Sequence, residues 1–230
     1  MKYMGSKRRI AKHILPIILK DRKQGQWYYE PFVGGANIID KVDGNRIGTD
    51  NNWYLISLLT ELQKGWQPPK ELTEQEYKDI KNNKNDHAPE LVGYVGISCS
   101  FSAKWFGGYR RSHKEKRDYI DEAFRNCTKQ NLKGIIFSHR PYDKVIFHPE
   151  SIIYCDPPYA KTTKDKSDFD HRRFWKWCRE VSNFGHTVYI SEYEAPSDFE
   201  CVWEKEQTTT VNIDNYKKAT ERLFVYNDRI

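Results

Sequence analysis

No apolar run in this 230-residue sequence approaches the roughly 18 to 20 residues that a membrane span needs. The opening segment MKYMGSKRRI is basic but lacks the apolar core of a signal peptide, so the chain is expected to be soluble and not exported. Cysteine is sparse as well. Cys99, Cys127, Cys155, Cys178 and Cys201 are odd in number and far apart, and no C-x-x-C pair suggests a disulfide framework or a structural zinc. That usage fits a reducing, cytoplasmic setting. The histidines, His171 included, show no H-E-x-x-H or comparable spacing, so no metal is expected. Neither G-x-G-x-x-G nor a Walker A loop is present, which argues against a phosphate cradle. There is no internal repeat and no low-complexity linker, so the parts of the chain should pack together rather than hang on a tether.

What is present is a chain able to bury one good core, with room for a smaller inserted lobe. It is 38% hydrophobic and 14% aromatic, which suffices for that core. The 38 Lys and Arg exceed 32 Asp and Glu, a +6 excess whose meaning depends on where the charge sits. Periodicity reads as strands alternating with helices. AKHILPIILK has helical apolar spacing, with Pro16 near a helix start or at a kink. QWYYEPF reads as a buried strand, the turn VGGAN as the opening of a second helix, NRIGTD as the next strand, and WYLISLLTELQ as an amphipathic helix. From about Gly65 to Asn131 polar helices and loops take over, beginning at a proline pair, with Thr73 as an N-cap. Strand-like runs return in GIIFSH, SIIYCD, TVYISEY, CVWEKEQTTTVN and ERLFVYN, with the helical DHRRFWKWCREVSNFG among them. An α/β fold follows, with residues 1–60 and 132–230 as the main domain and 61–131 as an inserted, mainly helical lobe.

Two stretches carry chemistry. In EPFVGGAN, Glu30 to Asn37, glycines at a strand end let the backbone turn sharply and approach a ligand closely. About twenty residues on, Asp50 ends the second strand, where an acid takes both ribose hydroxyls of an adenosine-containing cofactor. Either feature alone is also met by an ordinary glycine turn or a helix-capping Asp. In SIIYCDPPYAKTT, Asp156 falls at the carboxyl end of a strand, on the sheet edge that carries the glycine turn and Asp50. Pro157 and Pro158 remove two backbone donors and leave carbonyls beside a carboxylate. Acceptors without donors select an amino group, and Tyr159 offers a flat face for a base taken out of its duplex. The plain alternative is a tight turn with a capping Asp.

YMGSK at Tyr3 to Lys7, EPFVGG at Glu30 to Gly35, TDNN at Thr49 to Asn52 and DPPY at Asp156 to Tyr159, in this order along the chain, resemble the Dam-like family of DNA adenine-N6 methyltransferases. The resemblance covers about two thirds of the chain. It implies a Rossmann-like class I methyltransferase sheet, mostly parallel with the last strand antiparallel, an inserted target-recognition lobe, S-adenosylmethionine as methyl donor, and no metal. It implies that Tyr3 and Lys7 line the cofactor pocket, that Pro31, Phe32 and Gly34 lie against the methionine portion, and that Asp50 and Asn51 hold the ribose side. Asp156, which also borders the cofactor, and the Pro157 carbonyl would accept hydrogen bonds from the adenine amino group. Pro158 and Tyr159 would complete that catalytic turn.

Double-stranded DNA is the implied partner of a monomer or weak dimer. The insertion supplies a basic aromatic stretch, SFSAKWFGGYRRSHKEKR. Lys104, Arg110, Arg111 and Lys114 can meet phosphates, while Trp105 and Tyr109, with Phe101 and Phe106, can wedge into a weakened stack. A solvated basic face over a small aromatic core is the alternative. The stretch departs from the Asn-Gly and Arg-x-Asn patterns of the family, so the recognised DNA sequence is not legible in it. Phe169, in the loop 161–171 after the catalytic turn, is a further candidate DNA contact; the alternative there is a charged loop capped by Asp168 or Asp170. Rival substrates with a similar amino group are cytosine-N4, RNA and a glutamine amide. A rival of another class is an inactive DNA-binding module on the same fold. Both a restriction-modification enzyme and a stand-alone phage-type or bacterial enzyme fit the resemblance.

Overall fold

The structure is a computed structural model that describes residues 1–111, 118–159, 169–212 and 215–227. Among them the strand-like runs pair into one seven-stranded sheet. β1 (Tyr28–Glu30), β2 (Arg46–Asp50), β3 (Ile135–His139), β4 (Ile152–Cys155), β5 (Thr187–Glu192), β6 (Phe199–Asn212) and β7 (Asn215–Tyr226) stand in the order β3-β2-β1-β4-β5-β7-β6. The strands β1 to β5 pair in parallel, and β7 runs antiparallel between β5 and β6. Strand order reverses between β1 and β4, and open α/β sheets bind their ligands at the carboxyl ends beside such a reversal. Glu30, Asp50 and Cys155 all end strands at that edge.

The sheet is covered on both faces because side chains alternate along each strand. Ile152 and Tyr154 join one core with α1 (Ala11–Ile18) and α2 (Trp53–Gln63), through Ile14, Leu55 and Leu58. Ile153 and Cys155 join the other with Phe174 and Cys178 of α6 (His171–Asn183). In α2 the Asn52 side chain caps the first turn by accepting from the Leu55 N–H at 3.2 Å. Its Leu55, Ile56, Leu58 and Leu59 are buried at helical spacing, and each such side chain contributes roughly 1.5–3 kcal/mol.

Between α2 and β3 lie α3 (Glu74–Asn82), α4 (Pro89–Gly93), a π-helical turn Tyr94–Ser98 and α5 (Tyr119–Thr128). Thr73 and Glu76 form a capping box on α3, and Asp170 caps α6. Val92, Tyr94 and Ile97 enter the same core as Tyr28 and Ile152, so this region packs directly on the sheet domain. Gly93 permits the contact of α4 with α2: a Cβ there would stand 2.2 Å from the Tyr54 carbonyl oxygen. Gly93→Ala is therefore expected to cost about 1–3 kcal/mol, read as a lowered melting temperature in thermal denaturation. An unchanged melting temperature would contradict this packing.

One element differs from the sequence expectation. The turn after β1 does not open a helix; it leads only to a short 3-10 turn, Ile39–Lys41. Gly34 and Ala36 take positive φ of 46° and 53°, which breaks the right-handed repeat that a first helical turn requires. Pro16 lies inside α1, in its second turn, and the helix ends two residues later. No described helix is long and apolar enough to cross a membrane.

Candidate active site

Asp50 straps the glycine turn to the start of α2. Its Oδ2 accepts from the Gly34 N–H at 3.1 Å and its Oδ1 from the Asn52 N–H at 3.0 Å. Burial pushes the Asp50 carboxyl above its ordinary value, while these backbone donors pull the other way. The absent side chains of the turn leave room for Tyr3. A Cβ at Gly34 would lie 2.8 Å from Tyr3 Cε1, and one at Gly35 would lie 2.6 Å from Tyr3 Cβ. From the loop after α5, Gln130 Nε2 donates to the Gly35 carbonyl at 2.8 Å and so ties the insertion to the turn. Pro31 is buried beneath it. Phe32 stacks on Tyr142, with ring centres 5.2 Å apart, and meets Phe169 and Phe174 edge-on. Asn51 is exposed, its carbonyl accepting from His139 Nε2 at 3.0 Å.

At the end of β4, half-buried Asp156 shares an ion cluster with two other segments. Lys7 Nζ lies 3.3 Å from Asp156 and 3.5 Å from Glu221 of β7, donates to the Gly5 carbonyl at 3.2 Å, and stands 4.1 Å above the centre of the Tyr159 ring. The Tyr159 hydroxyl donates to Glu221 at 2.7 Å. Burial lifts the Asp156 carboxyl to about 6, with Lys7 lowering it and Glu221 raising it. Burial alone would push the Lys7 ammonium down, but Asp156 and Glu221 together hold it above its ordinary value. Nearby, the Tyr28 hydroxyl donates to Glu30 at 2.8 Å, and burial pushes that carboxyl well up. Pro157 is buried and Pro158 exposed.

The structure thus brings Tyr3, Lys7, Gly34, Asp50 and the Asp156 turn to one edge, and it corrects several details. The Tyr159 ring is buried with Lys7 over one face and Tyr193 edge-on at 4.6 Å, so the face expected to receive a base is covered in this arrangement. In the insertion, Tyr109 donates its hydroxyl to the Leu72 carbonyl at 2.6 Å. Arg110 stacks 4.3 Å over Tyr119, and Arg111 grips Glu74 with two nitrogens, holding that carboxyl down at about 2. Phe169 packs into the Phe32 and Tyr142 cluster. These four have partners within the protein, although Arg111 stays exposed at the surface. Trp105 stacks on Tyr54 at 5.6 Å and keeps 37% of its surface open, and Lys104 is exposed. Lys114 and residues 161–168 lie outside the described residues.

Phe101 is the more open aromatic, at 65% exposure, presented by a loop whose Ser102 and Ala103 both take positive φ. Glu221 and Glu30 escaped the sequence reading. An acid within the apolar run ERLFVYN was the available signal for the first, and the leading residue of EPFVGG for the second.

A doubly wound sheet of this order, with β7 antiparallel, a glycine turn after β1, an acid ending β2 and DPPY ending β4, defines a Rossmann-like class I methyltransferase fold. The sequence matches the D12 class N6 adenine-specific DNA methyltransferase family over residues 3–133 and 101–213. The chain belongs to that family. It is similar to the type II methyltransferase M.FokI of Planomicrobium okeanokoites, 22% identical over 206 residues, covering 78% of this chain and 31% of that relative. The chain therefore spans about a third of that relative's length. Among solved structures, TrmN from Thermus thermophilus overlaps 97% of this chain and 49% of its own at 11% identity and a TM-score of 0.41. A protein assigned as a class I S-adenosylmethionine-dependent methyltransferase from Listeria monocytogenes overlaps 98% and 61% at 9% identity and a TM-score of 0.42.

Proposed function

We propose that this chain is a site-specific DNA methyltransferase that moves the methyl group of S-adenosylmethionine to the N6 amino group of an adenine turned out of its duplex. The observation that carries the reading is the Asp156 carboxylate at the end of β4, held by Lys7 and followed by two prolines that have no N–H to offer. The residues fit the cofactor: a glycine turn that a Cβ would fill, an acid ending β2 that backbone donors hold in place, and a cluster with two carboxylates to one ammonium. When bound, the cofactor supplies a methyl group on a sulfonium that is already a good leaving group.

The chain's own residues then position and polarise. Asp50 and Asn51 take the ribose side, Tyr3, Pro31, Phe32 and Gly34 wall the methionine side, and Lys7 fixes the carboxylate. Asp156 and the Pro157 carbonyl accept from the adenine amino group, which keeps its lone pair aimed along the transfer line. As positive charge grows on that nitrogen, a desolvated carboxylate stabilises it more than water would. No covalent intermediate is needed.

Residues 61–131 act as the target-recognition lobe on double-stranded DNA, with Lys104 and Trp105 facing the duplex and Lys114 adding charge. Phe101, open and on a strained loop, is suited to fill the gap that a flipped base leaves. Phe101→Ala is expected to raise the KM for duplex DNA about tenfold, since one aromatic stack on a base is worth about 1–3 kcal/mol, while the melting temperature stays put. Steady-state kinetics beside thermal denaturation checks this; an unchanged KM would remove Phe101 from the interface. A restriction-modification role is supported by the type II relative. The reading is tested by offering labelled cofactor with unmethylated DNA, RNA and protein in parallel. Label in DNA is expected; label confined to RNA or protein would overturn it.

A further inference from the structure

We infer that Glu221 is a positioning residue for methyl transfer: it holds Tyr159 and draws Lys7 partly away from Asp156, leaving the Asp156 carboxylate free to accept the amino group. This rests on the methyltransferase reading above.

The placement follows from the sheet. β7 pairs with β5 through Arg222 opposite Glu192, the last residue of β5, so Glu221 stands just past the carboxyl edge, level with the catalytic turn. Strand alternation gives it the face of Leu223, which is fully buried in the core shared with Tyr154. Glu221 itself keeps 9% exposure, and a carboxylate that buried requires partners. Among the described residues these are the Tyr159 hydroxyl at 2.7 Å and Lys7 at 3.5 Å.

The consequence lies in how Lys7 is shared. With one carboxylate it would form a tight pair and occupy the Asp156 lone pairs that the substrate needs. Placed at 3.3 and 3.5 Å from two carboxylates, it neutralises both incompletely, and Asp156 keeps acceptor capacity. Glu221 also anchors the hydroxyl of Tyr159, which fixes the turn that follows Pro157 and Pro158. The titratable groups coupled to Asp156 from the surrounding elements are Lys7 and Tyr3 from the N-terminal segment, Glu30 from β1, Tyr154 and Cys155 from β4, Tyr159 from its turn, Tyr193 after β5 and Glu221 from β7. The four phenols and the Cys155 thiol are held above their ordinary values and burial pushes the Glu30 carboxyl well up, so Lys7 and Glu221 are the charges that move Asp156.

The test measures single-turnover methylation of duplex DNA from about pH 5 to about pH 9 with folded wild type, Glu221→Gln, Glu221→Asp and Lys7→Gln. The wild-type rate should fall on the acid side with a midpoint near about 6. Glu221→Gln removes a like charge, so its midpoint moves lower, and its plateau rate drops about tenfold because Tyr159 and Lys7 lose a charged partner. Lys7→Gln moves the midpoint higher. Glu221→Asp keeps the charge but withdraws from the hydroxyl, so its midpoint stays close to wild type while its plateau falls.

A methylating wild type beside a Glu221→Gln variant with a wild-type plateau, or with a midpoint unmoved or raised, would overturn the inference alone. Should Glu221→Gln not fold, a Glu221→Asp plateau equal to wild type would overturn it. A wild type that methylates no DNA would overturn the underlying reading, and the inference with it.

Discussion

Asp156→Ala is expected to lower the methyl-transfer rate about 1,000-fold, the upper range for removing one preorganised group from a developing charge. Asp156 carries the only carboxylate of the DPPY turn, and the prolines after it can supply carbonyls but no side-chain acceptor. Asp156→Asn should fall between, because an amide keeps one acceptor and adds a donor that repels the amino group it must hold. The pH profile separates these cases. With the carboxyl lifted to about 6, protons occupy it below that pH and the acceptor is lost, so the wild-type rate falls about tenfold per pH unit on the acid side and is level above it. The Asn variant, having nothing to titrate there, should lack this limb. Single-turnover assays with a saturating cofactor read both effects. A wild-type rate in Asp156→Ala would remove Asp156 from the chemistry.

Asp50→Ala is expected to weaken S-adenosylmethionine binding about 100-fold, which corresponds to about 2.7 kcal/mol and to the loss of one or two hydrogen bonds to a charged acceptor. Two consequences combine in one residue. The carboxylate ends β2, where we propose that the ribose binds, and it also holds the Gly34 and Asn52 N–H groups, so the glycine turn loosens when it goes. Isothermal titration of the cofactor measures the change. Asp50→Asn should retain part of the affinity because its amide oxygen can still accept from one N–H. Unchanged affinity in Asp50→Ala would place the cofactor elsewhere.

The residues legible in the sequence were those whose chemistry is local. DPPY and EPFVGG carry their meaning in adjacent side chains and in the backbone freedom of proline and glycine, and the strand runs around them placed Asp50 and Asp156 on one edge. The mostly parallel sheet and its antiparallel last strand followed from the family resemblance, while the strand order came from the structure. What was not legible depends on contacts distant in sequence. Tyr109, Arg110 and Arg111 read as candidate DNA contacts or as part of a small aromatic core under a basic face, and their partners Leu72, Tyr119 and Glu74 are announced by no periodicity. Glu221 lies 62 residues beyond the hydroxyl it accepts from, a contact created only when β7 returns beside β5. The missing helix after the glycine turn has a nearer cause: positive φ at Gly34 and Ala36, at a point where helix propensity alone would have continued the chain.

The central claim is that the Asp156 turn presents an adenine amino group to the methyl donor. The direct measurement is to methylate mixed-sequence duplex DNA with labelled S-adenosylmethionine, digest it to nucleosides, and resolve them by chromatography with mass detection. Label is expected in N6-methyldeoxyadenosine and is expected to disappear with Asp156→Ala. Label in N4-methyldeoxycytidine, or equal label with the variant, would contradict it.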